Sequence, residues 1–194
     1  MSYRKSARPD DLEIDVNNSE ILQKAWIFAS RKHNGQLYPG SERLPYLTHI
    51  GAVLLELLPA LRADSKLDAE LAMCCAILHD TVEDTGTTLA EISDAFGKAV
   101  AVGVAALTKD KSLKGEAATL DSLERIKRQP REVWAVKLAD RSANLQTPPD
   151  HWSLAKRLSY AREGRLILDA LGGASPSLAT TLLTRLQNWE HENQ

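Results

Sequence analysis

Apolar residues recur at helical spacing along almost the whole chain, and nowhere does a two-residue alternation last long enough to demand a sheet. That property predicts an all-α fold, a single bundle of about eight to ten helices. Ile21, Leu22, Ala25, Trp26 and Ala29 form the first apolar face, with Ser19 as expected N-cap and an end near His33 and Gly35. Gly35, Pro39, Gly40 and Pro45 then predict a loop. Tyr46 or Thr48 opens a second helix through Val53, Leu54, Leu57 and Leu58, and Asp68 a third that reaches His79 and Asp80. Thr88 and Glu91 read as a capping box before Ile92, Ala95 and Phe96, with Gly97 as the stop. Further helices are predicted at about 98–107, 120–128, 133–145, 151–171 and 176–192, the last with Pro176 at its first position.

A chain of 194 residues suits one domain that buries a core unaided, here read as residues 19–194 behind an N-terminal extension over 1–18. Its formal charge of -2, from 24 basic and 26 acidic residues, excludes a general pull towards nucleic acid or an anionic membrane. Any anionic ligand must be held by local charges. Cys74 and Cys75 sit inside the apolar run 72–78, where they read as small core residues of a protein in a reducing compartment. The opening residues 2–11 are polar and unlike a secretory signal, and every apolar run is far shorter than the roughly 20 residues of a membrane span. A soluble, cytoplasmic protein is expected.

The strongest local signal is Ile77-Leu78-His79-Asp80-Thr81-Val82-Glu83-Asp84, an imidazole and three carboxylates directly after an apolar helix. If that helix continued a turn, His79 would face Glu83 and Asp80 would face Asp84. Carboxylates crowded in this way repel one another unless a cation sits among them. An acidic helix end is also an ordinary solvated terminus, so the segment alone leaves both readings open. His49 opens an otherwise apolar helix, and Asp140 follows Val136-Lys137-Leu138-Ala139 inside another, where an unpartnered carboxylate is costly to bury. One shared cation explains all three.

In order, the chain carries Arg31-Lys32-His33-Asn34-Gly35-Gln36, Pro45-Tyr46-Leu47-Thr48-His49, Leu78-His79-Asp80-Thr81-Val82-Glu83-Asp84-Thr85, Phe96-Gly97 and Val136-Lys137-Leu138-Ala139-Asp140-Arg141 with Asn144-Leu145. In these motifs it resembles the HD-domain hydrolases of the Rel/SpoT group, most closely the stand-alone small alarmone hydrolases of the stringent response. The resemblance implies that His49, His79, Asp80 and Asp140 bind one divalent ion, usually manganese. Two imidazoles and two carboxylates without thiolate suit manganese or ferrous iron, with zinc also compatible. Glu83 and Asp84 match the acidic pair that orients the nucleophilic water and moves its proton. The resemblance further implies a purine nucleotide substrate, the alarmone (p)ppGpp, which loses pyrophosphate from its 3′ oxygen.

For the nucleotide, Asn144 and Tyr160 match residues of the family's pocket and Lys111 a lysine near the phosphates, with Lys109 and Lys114 as alternatives. His33 reads as a packing or hydrogen-bonding residue, and His151 and His191 as surface residues. Two departures concern substrate choice. Relatives commonly carry an Arg-Lys pair in the loop before Pro45, whereas here Arg43 is the only cation of segment 37–44 and Tyr38 is available to stack on a base. Adenine, and hence (p)ppApp, is as compatible as guanine. Gln146 stands where relatives place arginine, followed by Thr147-Pro148-Pro149. The rival readings are another HD nucleotide phosphohydrolase, including one acting on the 2′ phosphate of NADPH, and a non-catalytic nucleotide-binding module. Hydrolysis without a synthetase domain is expected, controlled by expression or homo-oligomerisation.

Overall fold

The computed structural model describes residues 16–39, 42–146 and 152–193. Among these residues the chain forms α1 (Val16–Lys32), α2 (Leu47–Ala63), α3 (Ala69–Leu78), α4 (Thr81–Asp84), α5 (Leu89–Phe96), α6 (Lys98–Leu107), α7 (Gly115–Lys127), α8 (Arg131–Asn144), α9 (Leu154–Leu171), a 3-10 turn at Gly172–Ala174, and α10 (Pro176–Glu192). The fold is all-α. Its one extended feature among the described residues is an isolated bridge between Leu37 and Pro45.

The helix boundaries follow from local chemistry. The Asp68 side chain accepts the Leu71 amide at 3.0 Å, and Thr88 and Glu91 close both halves of a capping box. Gly97 ends α5 at φ 87°, a conformation other residues adopt at a cost. Ser175 accepts from Leu178, with Pro176 directly after it.

Three starts differ from expectation. The first helix begins at Val16, so Ser19 lies within it rather than capping it. Nothing in Val16-Asn17-Asn18 breaks a helix, and the apolar pattern begins only after that added turn. Likewise α7 starts at Gly115, where Glu116-Ala117-Ala118 propagate a helix without the periodicity that reveals one. The helix α9 starts at Leu154, later than the expected 151, because the Ser153 side chain caps it by accepting the Lys156 amide. His151, the Thr147-Pro148-Pro149 stretch and most of the N-terminal extension lie outside the described residues.

Two helices form the middle of the molecule. In α3 every residue from Cys74 to Leu78 is buried, the mark of a helix with neighbours on all sides, here α1, α2, α6 and α8. Almost all of α8 is buried too, including the charged Glu132, Lys137, Asp140 and Arg141, against α2, α3, α9 and α10. The close approach of α6 to α3 needs Gly103, since a Cβ there would lie 2.6 Å from the Cys75 sulfur. Both cysteines are free and buried, and burial pushes the Cys74 thiol up to about 12. They are core residues.

Candidate metal centre

Three buried helix segments deliver the chemistry to one point. His49 comes from the first turn of α2, His79 from the C-cap of α3, and Asp140 from the last half of α8. One ligand atom from each lies within 4.8 Å of the other two. The two Nε2 atoms approach to 3.3 Å, and the Asp140 Oδ1 stands 3.5 Å from that of His49. Asp80 lies against the same two imidazoles, its Oδ2 2.8 Å from His79 Nε2 and 3.5 Å from His49 Nε2.

The donor set fits a divalent cation. His79 Nδ1 lies 2.8 Å from the Ala76 carbonyl, which can only accept, so Nδ1 keeps a proton and Nε2, the atom that faces the carboxylates, is the one free to bind a metal once its own proton is lost. Burial works to lower the His49 pKa, but the Asp140 and Asp80 carboxylates outweigh it and raise it to about 9. His79 is raised too, against its own burial, chiefly by Asp80. Both aspartates are held below the usual carboxylate range although burial opposes this: Asp80 by the charge of His79, Asp140 by that of Lys137. So much negative charge in so dry a place calls for positive charge, and a metal supplies it without protonating the imidazoles.

The loop before α2 builds one wall. Around the Leu37–Pro45 bridge, Tyr38 donates its amide to the Leu44 carbonyl at 2.8 Å and Tyr46 donates to the Gln36 carbonyl at 3.0 Å. This pinch turns three side chains to the site. The Tyr46 hydroxyl donates to Asp80 Oδ2 at 2.5 Å, Gln36 Nε2 donates to Asp84 Oδ2 at 2.9 Å, and the Tyr38 ring stacks on His49 at 5.5 Å between centroids. His33 is buried, stacks on Tyr46, and holds Gln36 through Nδ1 at 2.7 Å from Oε1. That is the hydrogen-bonding and packing role its sequence context suggested.

The acidic pair is spread rather than stacked. A break at Asp80 separates α3 from α4, and Glu83 turns to accept the Lys109 amide at 2.9 Å while Asp84 faces Gln36. Lys111 donates its ammonium to the Glu83 carbonyl at 2.7 Å. Asn144 donates to Asp140 Oδ1 at 2.7 Å and receives the Tyr38 hydroxyl at 3.4 Å. Tyr160 has the Arg141 guanidinium 3.8 Å above its ring and Trp152 against its edge. Arg43 is exposed at φ 54°, apart from these contacts, and His191 is exposed as expected. Gln146 reaches Glu56 at 3.4 Å.

Sequence reasoning assigned no role to Tyr46, Gln36 or Lys137, although all three stand in the motifs it singled out. Lys137 was the readable one: a lysine in an apolar helical run, three residues before a buried aspartate, shares its face and donates to Asp140 Oδ2 at 2.9 Å.

Among the described residues no helix is long and apolar enough to cross a membrane. The chain is 29% identical over 174 residues to the zebrafish (Danio rerio) guanosine-3′,5′-bis(diphosphate) 3′-pyrophosphohydrolase MESH1, covering 87% of this chain and 94% of that one. It is 35% identical over 156 residues to a GTP pyrophosphokinase of Myxococcus xanthus, covering 74% of this chain but 19% of that much longer protein. In three dimensions it superposes with a TM-score of 0.74 on a metazoan ortholog of SpoT described as hydrolysing ppGpp, at 23% identity over 94% of this chain and 98% of the other. A second solved structure, lmo0812 of Listeria monocytogenes, gives 0.60 at 24% identity over 75% and 97%. Residues 25–177 match the HD domain. By that match the chain belongs to the HD-domain family.

Proposed function

We propose that the protein is a metal-dependent 3′-pyrophosphohydrolase of the alarmone (p)ppGpp or its adenine counterpart (p)ppApp. The observation that carries this reading is the convergence of His49, His79 and Asp140, with Asp80 beside them, in a buried pocket whose rim holds two further acids. His49, His79, Asp80 and Asp140 would hold one divalent ion; their imidazole and carboxylate set suits manganese or ferrous iron, and the family resemblance favours manganese. Such an ion acidifies water and neutralises charge on phosphate.

The remaining work falls to the chain's own groups. Glu83 and Asp84 orient the attacking water and take its proton; the Lys109 amide and Gln36 hold them ready. Tyr38, Asn144 and Tyr160 bound the nucleotide side, Arg43 takes over part of the grip on the base, and Lys111 supplies a cation to the phosphates. Likeness to the zebrafish enzyme over nearly its full length supports the alarmone as substrate. The residues from 19 to 194 act as one catalytic domain, and the reaction is that of a cytoplasmic hydrolase.

The deciding experiment is product analysis of manganese-loaded protein with (p)ppGpp, (p)ppApp and NADPH side by side. Release of pyrophosphate from an alarmone is expected. Turnover of NADPH alone, yielding inorganic phosphate, would replace this reading with a nucleotide 2′-phosphatase.

A further inference from the structure

On the Lys137 side of Asp140, a small cavity opens between α7, α8, α9 and the segment after α6. Lys109, Lys137 and Arg141 line it together with Ser122 and Thr119, and Leu123 and Ile167 form its apolar part. It admits one particle of water or halide size. Two polar atoms of lining residues, Ser122 Oγ and Arg141 Nε, are buried with no hydrogen-bond partner. Such groups are costly to leave unmet.

The lining decides between water and an anion. Lysine and arginine can only donate hydrogen bonds, and among the lining side chains only the Ser122 and Thr119 hydroxyls can also accept. A water accepts about two such bonds and does nothing for the repulsion among three cations. That repulsion is real: the charge of Lys137 and then burial pull the Lys109 ammonium below its ordinary pKa. The nearest acids are already engaged, Asp140 with Lys137 at 2.9 Å, Glu163 with Arg141 at 3.4 Å and Glu83 with the Lys109 amide at 2.9 Å, though Glu83 and Asp140 partly offset the repulsion at Lys109.

We propose that this cavity binds a monovalent inorganic anion of chloride size, held by Lys109, Lys137, Arg141 and the Ser122 hydroxyl. The anion accepts from every donor at once and relieves the repulsion among the cations. Because Lys137 also holds Asp140, the site stabilises the helix face that carries that carboxylate. It needs neither a metal nor a nucleotide, so its test stands apart from that of the enzymatic reading.

Bromide is the probe. Crystals grown in sodium bromide should show an anomalous peak in the cavity, and thermal unfolding in sodium bromide should lie a few degrees above that in sodium gluconate at equal ionic strength. The difference should vanish in Lys109→Met and shrink in Ser122→Ala. Water in the cavity at high bromide, or a full bromide-specific shift in Lys109→Met, overturns the proposal. Stabilisation by inorganic phosphate but not bromide overturns the assigned size. If Lys109→Met does not fold, the wild-type crystal and Ser122→Ala decide.

Discussion

Asp140 joins four partners through two oxygens: Oδ1 meets His49, His79 and Asn144, and Oδ2 meets Lys137. Removing it should abolish metal binding, and His79→Ala should do the same. Metal content of the purified variants checks this, and full retention by Asp140→Ala refutes the ligand assignment. Glu83→Gln should keep the metal but lose turnover by about 10²–10⁴-fold, the usual worth of a positioned acid–base group. Tyr46→Phe deletes the hydroxyl that fixes Asp80, so metal affinity should fall by about 10–100-fold, as for other residues that orient a ligand. Titration with manganese would measure it, and an unchanged affinity would show that Asp80 is oriented without Tyr46. This tyrosine stands three residues before His49, yet its partner is Asp80, a pairing across the fold that no spacing rule reveals.

At the scale of elements, the caps and the apolar stripes identify most of the helices, because both are local: a capping box spans four residues and a stripe two turns. Hence α10 begins and ends where the sequence indicates, while α1 and α7 begin earlier than their apolar faces do. What the stripes do not show is how closely helices approach. Gly103→Ala places a methyl group 2.6 Å from the Cys75 sulfur and 3.2 Å from Val133, on backbone that α3 and α8 hold in place. Overpacking of that kind costs about 1–3 kcal/mol, to be read as a lower denaturant midpoint. Thr88→Ala breaks the capping box of α5 and should cost about 1 kcal/mol by the same measurement.

For the whole molecule, the clustered ionisable groups couple stability to pH. In metal-free protein the His49 pKa is raised from 6.5 to about 9, so its contribution is complete below about pH 6.5 and lost as pH climbs towards 9. Asp80 and Asp140 are depressed instead, so they stabilise above about pH 4 and lose that effect on acidification. Chelator-treated protein should therefore be most stable between about pH 4 and 6.5. A melting temperature that does not fall between pH 6.5 and 9 would show that the imidazoles carry no stabilising charge. Metal affinity should run the other way, rising with pH over that interval as the imidazoles lose protons. The sequence by itself determined the all-α class, the helix order and the residues of the candidate ligand set, because periodicity, caps and motifs are written in neighbouring positions. Only the tertiary structure decided that Asp80 and Asp140 meet His49 and His79 at one buried point, that Glu83 and Asp84 diverge, and that Tyr46, Gln36 and Lys137 hold the acids. Those relations arise from the packing of α3 and α8 in the core and from the pinched loop before α2, and contacts made by folding are not encoded in any one stretch of chain.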